Sequence, residues 1–257
     1  MNTRSIITLL AVVVLAASAA FGWGSIVRSY AAPSSYPNGL GYVLFSGSGR
    51  IIVDSNNTDH IYRMYQSNGS VYGSYAAPGS NPMGIGAGMI STTGYVWVAD
   101  STTDRIYRMG INTGSIYGSY AAPGTYPYGL GFRDSGSIYY VYHTDYTNEH
   151  MYRMNGTTGS IYASYDLNYA PRDIAYGGGY LWIATGSTVR MSNGTTGATI
   201  STLSTAASGS AMGVAYDPSG PYLWVSIAPS ANRINVYELS GTGVTPSSLG
   251  RVKAVYR

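Results

Sequence analysis

The chain has 257 residues, 14 basic and 11 acidic side chains, 45% hydrophobic residues and no cysteine. That apolar content fills a core and argues against disorder. The missing cysteines exclude a disulfide scaffold, a thiolate metal site, a cysteine nucleophile and a cysteine-borne lipid, and a formal charge of +3 spread this thinly argues against an electrostatic nucleic-acid binder.

Residues 1–22 read as an export signal. Met1–Arg4 is basic, Ile6–Ala17 is an apolar run, and Ser18-Ala19-Ala20 supplies small residues for cleavage between Ala19 and Trp23. The run falls short of the ~20 residues that span a bilayer. The expectation is therefore a secreted protein at the cell surface or outside it, or in the periplasm of a host with two membranes, with no membrane span after cleavage.

From Gly24 onward the chain repeats itself. GSIVRSYAAP opens at Gly24, GSVYGSYAAPG at Gly69, GSIYGSYAAPG at Gly114 and GSIYASYD at Gly159, each 45 residues after the last, and a decayed copy opens at Gly197. Tyr62-Arg63-Met64, Tyr107-Arg108-Met109 and Tyr152-Arg153-Met154 keep the same interval, with Val189-Arg190-Met191 as a shortened fourth copy and Arg233–Tyr237 as a looser fifth. A third marker, Pro-x-Gly, stands at Pro37, Pro82 and Pro127 and decays to Pro171-Arg172-Asp173 and Ala211-Met212-Gly213. Each unit reads as four short strands separated by Gly, Pro, Asn, Asp, Ser and Thr clusters. No stretch after residue 22 keeps a helical apolar period.

A four-stranded unit of this length predicts a β-propeller blade, in which ring packing buries faces that one blade cannot bury alone. The 27 tyrosines against 3 phenylalanines fit wedges whose flat rings end in a hydroxyl at a wet rim. The outer-strand sequence appears first at residues 23–32, before any inner strand. It therefore completes the last blade, giving an all-β propeller over 23–240 with five four-stranded blades closed by the N-terminal outer strand. A six-bladed ring is the alternative. The tail 241–257 includes Gly250–Arg257, which alternates like a strand and competes for the closing slot or pairs elsewhere.

Tyr95-Val96-Trp97-Val98-Ala99-Asp100 with Asp104-Arg105-Ile106-Tyr107, and Gly213–Pro218 with Leu223-Trp224-Val225 and Asn232-Arg233-Ile234, resemble the core of NHL-type repeats. The chain looks like a secreted NHL/YVTN-like propeller over nearly all of residues 23–239. The resemblance implies a fold more than a function, since such propellers include binding modules, lactonase-like hydrolases and a lyase.

The residue inside each Pro-x-Gly marker is expected at the mouth of the central channel: Asn38, Met83, Tyr128, Arg172 and Met212. A ring that differs at equivalent positions suits a small asymmetric ligand, or else plugs the channel. Asp54, Asp100 and Asp145 read as matching places after the second strand, followed by Asp59, Asp104 and Glu149. These carboxylates either cap turns or hold Ca²⁺, the one cofactor considered beside the expectation of none. His143, Asp145 and Glu149 are the weak catalytic candidates, as the only local group with acid–base and metal-binding side chains. His60 and His150 occupy equivalent structural positions.

The leading expectation is a non-enzymatic extracellular binding or surface-assembly propeller that meets a protein, a glycan or other copies of itself. The alternatives are a propeller lyase or lactonase-like hydrolase with a metal on the loop face, and a small-molecule sensor.

Overall fold

A computed structural model of the protein describes residues 22–240; residues 1–21 and 241–257, on which the expectations of an export signal and a strand-like tail fall, lie outside the described residues. Twenty strands form five four-stranded antiparallel sheets, and the described residues contain no helix. The first strand is β1 (Gly22–Ala31). Blade 1 is β2 (Pro37–Phe45), β3 (Ser48–Ser55), β4 (His60–Tyr65) and β5 (Val71–Ala76). Blade 2 is β6 (Pro82–Ile90), β7 (Thr93–Asp100), β8 (Arg105–Gly110) and β9 (Ile116–Ala121). Blade 3 is β10 (Pro127–Asp134), β11 (Tyr139–Asp145), β12 (His150–Asn155) and β13 (Ile161–Asp166). Blade 4 is β14 (Asp173–Gly177), β15 (Tyr180–Ala184), β16 (Thr188–Asn193) and β17 (Thr199–Ser204). Blade 5 is β18 (Ser210–Asp217), β19 (Tyr222–Ala228) and β20 (Arg233–Ser240), and its fourth place is taken by β1.

The ring thus has five blades, not six, and β1 closes it. Ser29 pairs with Asn235 and Tyr30 with Ile234. The Ser29 hydroxyl donates to Asn235 Oδ1 at 2.7 Å, and the Arg233 Nε–H donates to Ser29 Oγ at 2.7 Å.

Each seam between blades holds its own apolar cluster. Alternation along each strand sends one face to the preceding blade and the other to the next. Ile52, Ile61, Ile85, Val96 and Val98 fill the seam between blades 1 and 2, and Trp182, Val189, Val214, Leu223 and Val225 fill that between blades 4 and 5. Fully burying one such side chain contributes ~1.5–3 kcal/mol before chain entropy is set against it. A second-strand aromatic of one blade stacks on an inner-strand aromatic of the next: Trp97 on Phe132 at 4.9 Å, Tyr142 on Tyr176 at 5.7 Å and Trp182 on Tyr216 at 6.1 Å. At the closing seam Tyr30 stacks on Trp224 at 5.6 Å.

The repeated Gly-Ser start has a steric cause. Gly69, Gly114 and Gly159 have positive φ, and a Cβ on them would strike the rings of Tyr30, Tyr75 and Tyr120 from the blade before. These tyrosines therefore turn inward. The Tyr75 and Tyr120 hydroxyls are buried without a hydrogen-bond partner, and burial pushes both far above the ordinary tyrosine pKa. The expected wet hydroxyl tip is not what selects tyrosine at these two positions.

Strand registers correct two sequence alignments. Pro37 pairs with Ser55, Pro82 with Asp100 and Pro127 with Asp145, so Asp54 lies one residue out of step with Asp100 and Asp145. In blade 4, Arg190 pairs with Ile183 and Met191 with Trp182, whereas Arg108 pairs with Trp97. Val189-Arg190-Met191 is therefore offset by one residue from the Tyr-Arg-Met marker.

Candidate functional site

The loops before each inner strand and those between second and third strands share one face of the disc. Among the five expected mouth residues the structure shows two contacting groups, Asn38 with Met83 and Arg172 with Met212 and Tyr128. Asn38 Nδ2 donates to the Pro82 carbonyl at 3.1 Å and lies 3.9 Å from Met83 Sδ. The Arg172 guanidinium contacts Met212 Sδ. Burial raises the Tyr128 pKa while the Arg172 charge opposes the rise. Asn38, Met83, Tyr128 and Met212 are buried, and only Arg172 is half-exposed.

Beneath them lies Asp173, which the sequence reading treated as marker decay. It stands where the other blades have Gly39, Gly84, Gly129 and Gly213. Those glycines are needed for closure: a Cβ on Gly84 would lie 2.1 Å from the Tyr128 carbonyl, and one on Gly129 would lie 2.4 Å from the Asp173 Cα. The one side chain in this ring crosses the channel. Asp173 Oδ2 accepts the Leu40 N–H at 3.0 Å and the Val214 N–H at 2.8 Å, and Oδ1 accepts the Leu130 N–H at 3.2 Å. One carboxyl therefore ties the inner strands of blades 1, 3 and 5 to blade 4. On the axis below, inner-strand residues of all five blades leave a cavity of about 30 Å³.

Asp54 points into the same channel because of its register. It accepts the Gly39 N–H, as Thr144 Oγ1 accepts the Gly129 N–H at 2.8 Å and Ser226 Oγ the Gly213 N–H at 2.6 Å. Its second oxygen, Oδ2, is buried without a hydrogen-bond partner. Burial pushes the Asp54 pKa up to about 7 and the Asp173 pKa well above the usual carboxylate range, and the Asp54 charge adds to the second shift.

Asp100 and Asp145 do what turn-capping aspartates do. Asp100 accepts the N–H groups of Asn81 and Thr103, each at 2.9 Å, and the Thr103 hydroxyl at 2.8 Å. Asp145 accepts those of Tyr126 at 3.1 Å and Asn148 at 2.7 Å. Asp59, Asp104, Glu149 and Asn232 share a left-handed φ of 47° to 56°, and their carbonyls accept from Ala77, Ala122, Leu167 and Ala32. Asp54, Asp100 and Asp145 do not converge, and among the described residues no three His, Cys, Asp or Glu side chains are placed to share an ion.

His143 replaces the valine found at Val53, Val98 and Val225. It is fully buried, with Nδ1 3.4 Å from the Gly129 carbonyl and Nε2 without a partner. Burial lowers its pKa to about 4 despite the Asp145 charge. The Asp145 carboxylate is occupied by its turn, and Glu149 serves the backbone of the next loop. His60 and His150 are equivalent, as expected: each Nδ1 lies 2.6 Å from a carbonyl two residues earlier.

These buried groups give opposed pH dependences. Asp54 and Asp173 are raised in the fold, so their contribution is complete below the unfolded pKa of ~3.9 and is lost as pH rises through the folded values. His143 is lowered, so its contribution is complete above ~6.5 and is lost as pH falls toward 4. Restoring the valine of the other blades with His143→Val should stabilise the protein at pH 4–5 by roughly 3 kcal/mol relative to its effect at pH 8. Urea unfolding at both pH values measures this; an equal effect at both would contradict the shift.

The five four-stranded sheets define a five-bladed β-propeller. No protein-family model matches the chain, and no curated protein matches it. The solved structure of a Myxococcus xanthus glutaminyl cyclase is similar over 85% of this chain and 97% of that one, with a TM-score of 0.67 and 10% sequence identity. At that identity the likeness concerns the fold.

Proposed function

We propose that the protein is a secreted, non-enzymatic propeller of NHL-like repeats that works as an extracellular binding or surface-assembly module through its outer rim. One observation carries this reading: the outermost strands present apolar residues to solvent at repeated positions. Ile26, Val71, Ile116 and Ile161 are 43%, 46%, 55% and 53% exposed, with Val27, Tyr117, Tyr162 and Ile200 beside them. Among the described residues each of these strands is the free edge of its sheet. A free edge flanked by β-branched and aromatic side chains is a template for another chain. The leader-like residues 1–22 support export, and copies of the same chain are the partner that a five-fold repeated surface suits best.

Sedimentation velocity tests this. The purified chain should associate with rising concentration, and Ile116→Lys with Ile161→Lys should weaken association at least ~10-fold through lost apolar burial and added charge. A chain that stays monomeric, or variants that associate unchanged, would reject the rim. The second reading is an enzyme, favoured by the similarity to a glutaminyl cyclase. Glutaminyl cyclase activity abolished by Arg172→Ala would place chemistry at the mouth and displace the binding reading.

A further inference from the structure

On the opposite face, where β1 closes the ring against blade 1, lies a groove of about 390 Å³ lined by Arg28, Ser48, Arg50, Tyr65, Gln66 and Ser67 together with two glycines. Its polar residues break the repeat. Arg28 stands where the other outer strands have Gly73, Gly118, Ala163 and Ser201. Arg50 stands where the other second strands have Tyr95, Tyr140, Tyr180 and Tyr222. Gln66 follows Tyr65 where the other blades continue with Ile111, Gly156, Gly194 and Leu239. Three departures from two blades meet in one groove.

Both guanidiniums are pre-positioned. Arg28 lies 5.2 Å from the Tyr222 ring centroid and 5.5 Å from that of Trp224. Arg50 lies 4.6 Å from the Tyr65 centroid and 4.9 Å from that of Tyr72. Ring contacts fix a guanidinium while leaving its in-plane N–H fork available. Among the described residues neither guanidinium has a hydrogen-bond partner, and no carboxylate lines the groove. Behind it, Gln66 is held across the seam: Nε2 donates to the buried Asp217 carboxylate, and Oε1 accepts the Tyr42 hydroxyl at 3.3 Å. Gly49 makes room for this, since a Cβ there would overlap the Gln66 side chain.

From this geometry we infer that the seam groove binds a hexuronate, a sugar whose carboxylate is gripped by the Arg28 and Arg50 forks and whose hydroxyls meet Ser48 and Ser67. Two planar donors suit a planar carboxylate. A volume of this size is within the range of small-molecule sites. The groove borders the rim, since Arg28 follows Val27 on β1 and Arg50 stacks on Tyr72 of β5, but it lies on the face opposite the Pro-x-Gly mouth.

Calorimetric titration of the purified chain with sodium glucuronate, glucose and sodium sulfate tests it. Glucuronate should bind saturably, with glucose and sulfate at least ten-fold weaker. Arg28→Ala and Arg50→Tyr should each weaken glucuronate at least ten-fold with the thermal midpoint retained, because they install residues of the kind the other blades already carry at those places. A glucuronate trisaccharide that binds tighter than the monosaccharide assigns the source to a polymer, and equal binding assigns it to the free acid. No binding of glucuronate, equal binding of glucose or sulfate, or unchanged binding by both variants would overturn the inference.

Discussion

Asp173→Ala is expected to unfold the protein, or bring it to the edge of unfolding, at neutral pH. The substitution strips the acceptor from the Leu40, Leu130 and Val214 N–H groups at once, at a buried site on the axis. Each buried donor left unsatisfied costs ~1–3 kcal/mol. Three together approach the ~5–15 kcal/mol that holds a typical domain folded. Asp173→Asn should be milder, because one oxygen remains as acceptor and the amide resembles the protonated acid. It should also flatten the loss of stability with rising pH that a raised carboxyl imposes. Urea unfolding followed by the buried Trp97, Trp182 and Trp224 reads both effects. An alanine variant as stable as the parent would mean that the axis does not depend on this carboxyl.

The second large effect concerns the closing strand. A chain beginning at Ala32 loses β1, and with it the pairing from Ile26 to Ala31 and the stack of Tyr30 on Trp224. It exposes the edge of β20 beside the buried Ile234 and Val236. The outer part of blade 5 is then left uncovered, and only its inner strands still pack against blade 1. The truncated chain should lose cooperative unfolding altogether, and a synthetic peptide spanning 22–32 should restore it. A truncated chain with an unchanged unfolding midpoint would contradict the role given to this strand.

Much of the ring was legible from spacing. The 45-residue interval and an outer-strand sequence that precedes every inner strand already imply five blades and the clasp. The channel was harder to read. Asp54-Ser55 looks like Asp100-Ser101, yet Ser55 occupies the register position of Asp100, each paired with its own blade's proline. A slip of one residue on a strand moves a side chain to the other face, so Asp54 enters the channel while Asp100 caps a turn. Asp173 looked like a lost glycine because its role depends on backbone N–H groups from three distant blades. The positions of Asn38, Met83, Tyr128, Arg172 and Met212 before each inner strand were easy to read, because that position is local to the repeat. Arg28, Arg50 and Gln66 were visible as exceptions, but only closure places Arg28 beside blade 1.

The ring closure itself is tested most directly by a disulfide in this cysteine-free chain. Ser29→Cys with Asn235→Cys places two thiols on directly paired residues, at a separation that antiparallel partners and disulfides share. In dilute, oxidised protein the account predicts a quantitative intramolecular bond and a higher thermal midpoint. Free thiols, or bonds formed only between molecules, would show that the first strand does not close its own ring.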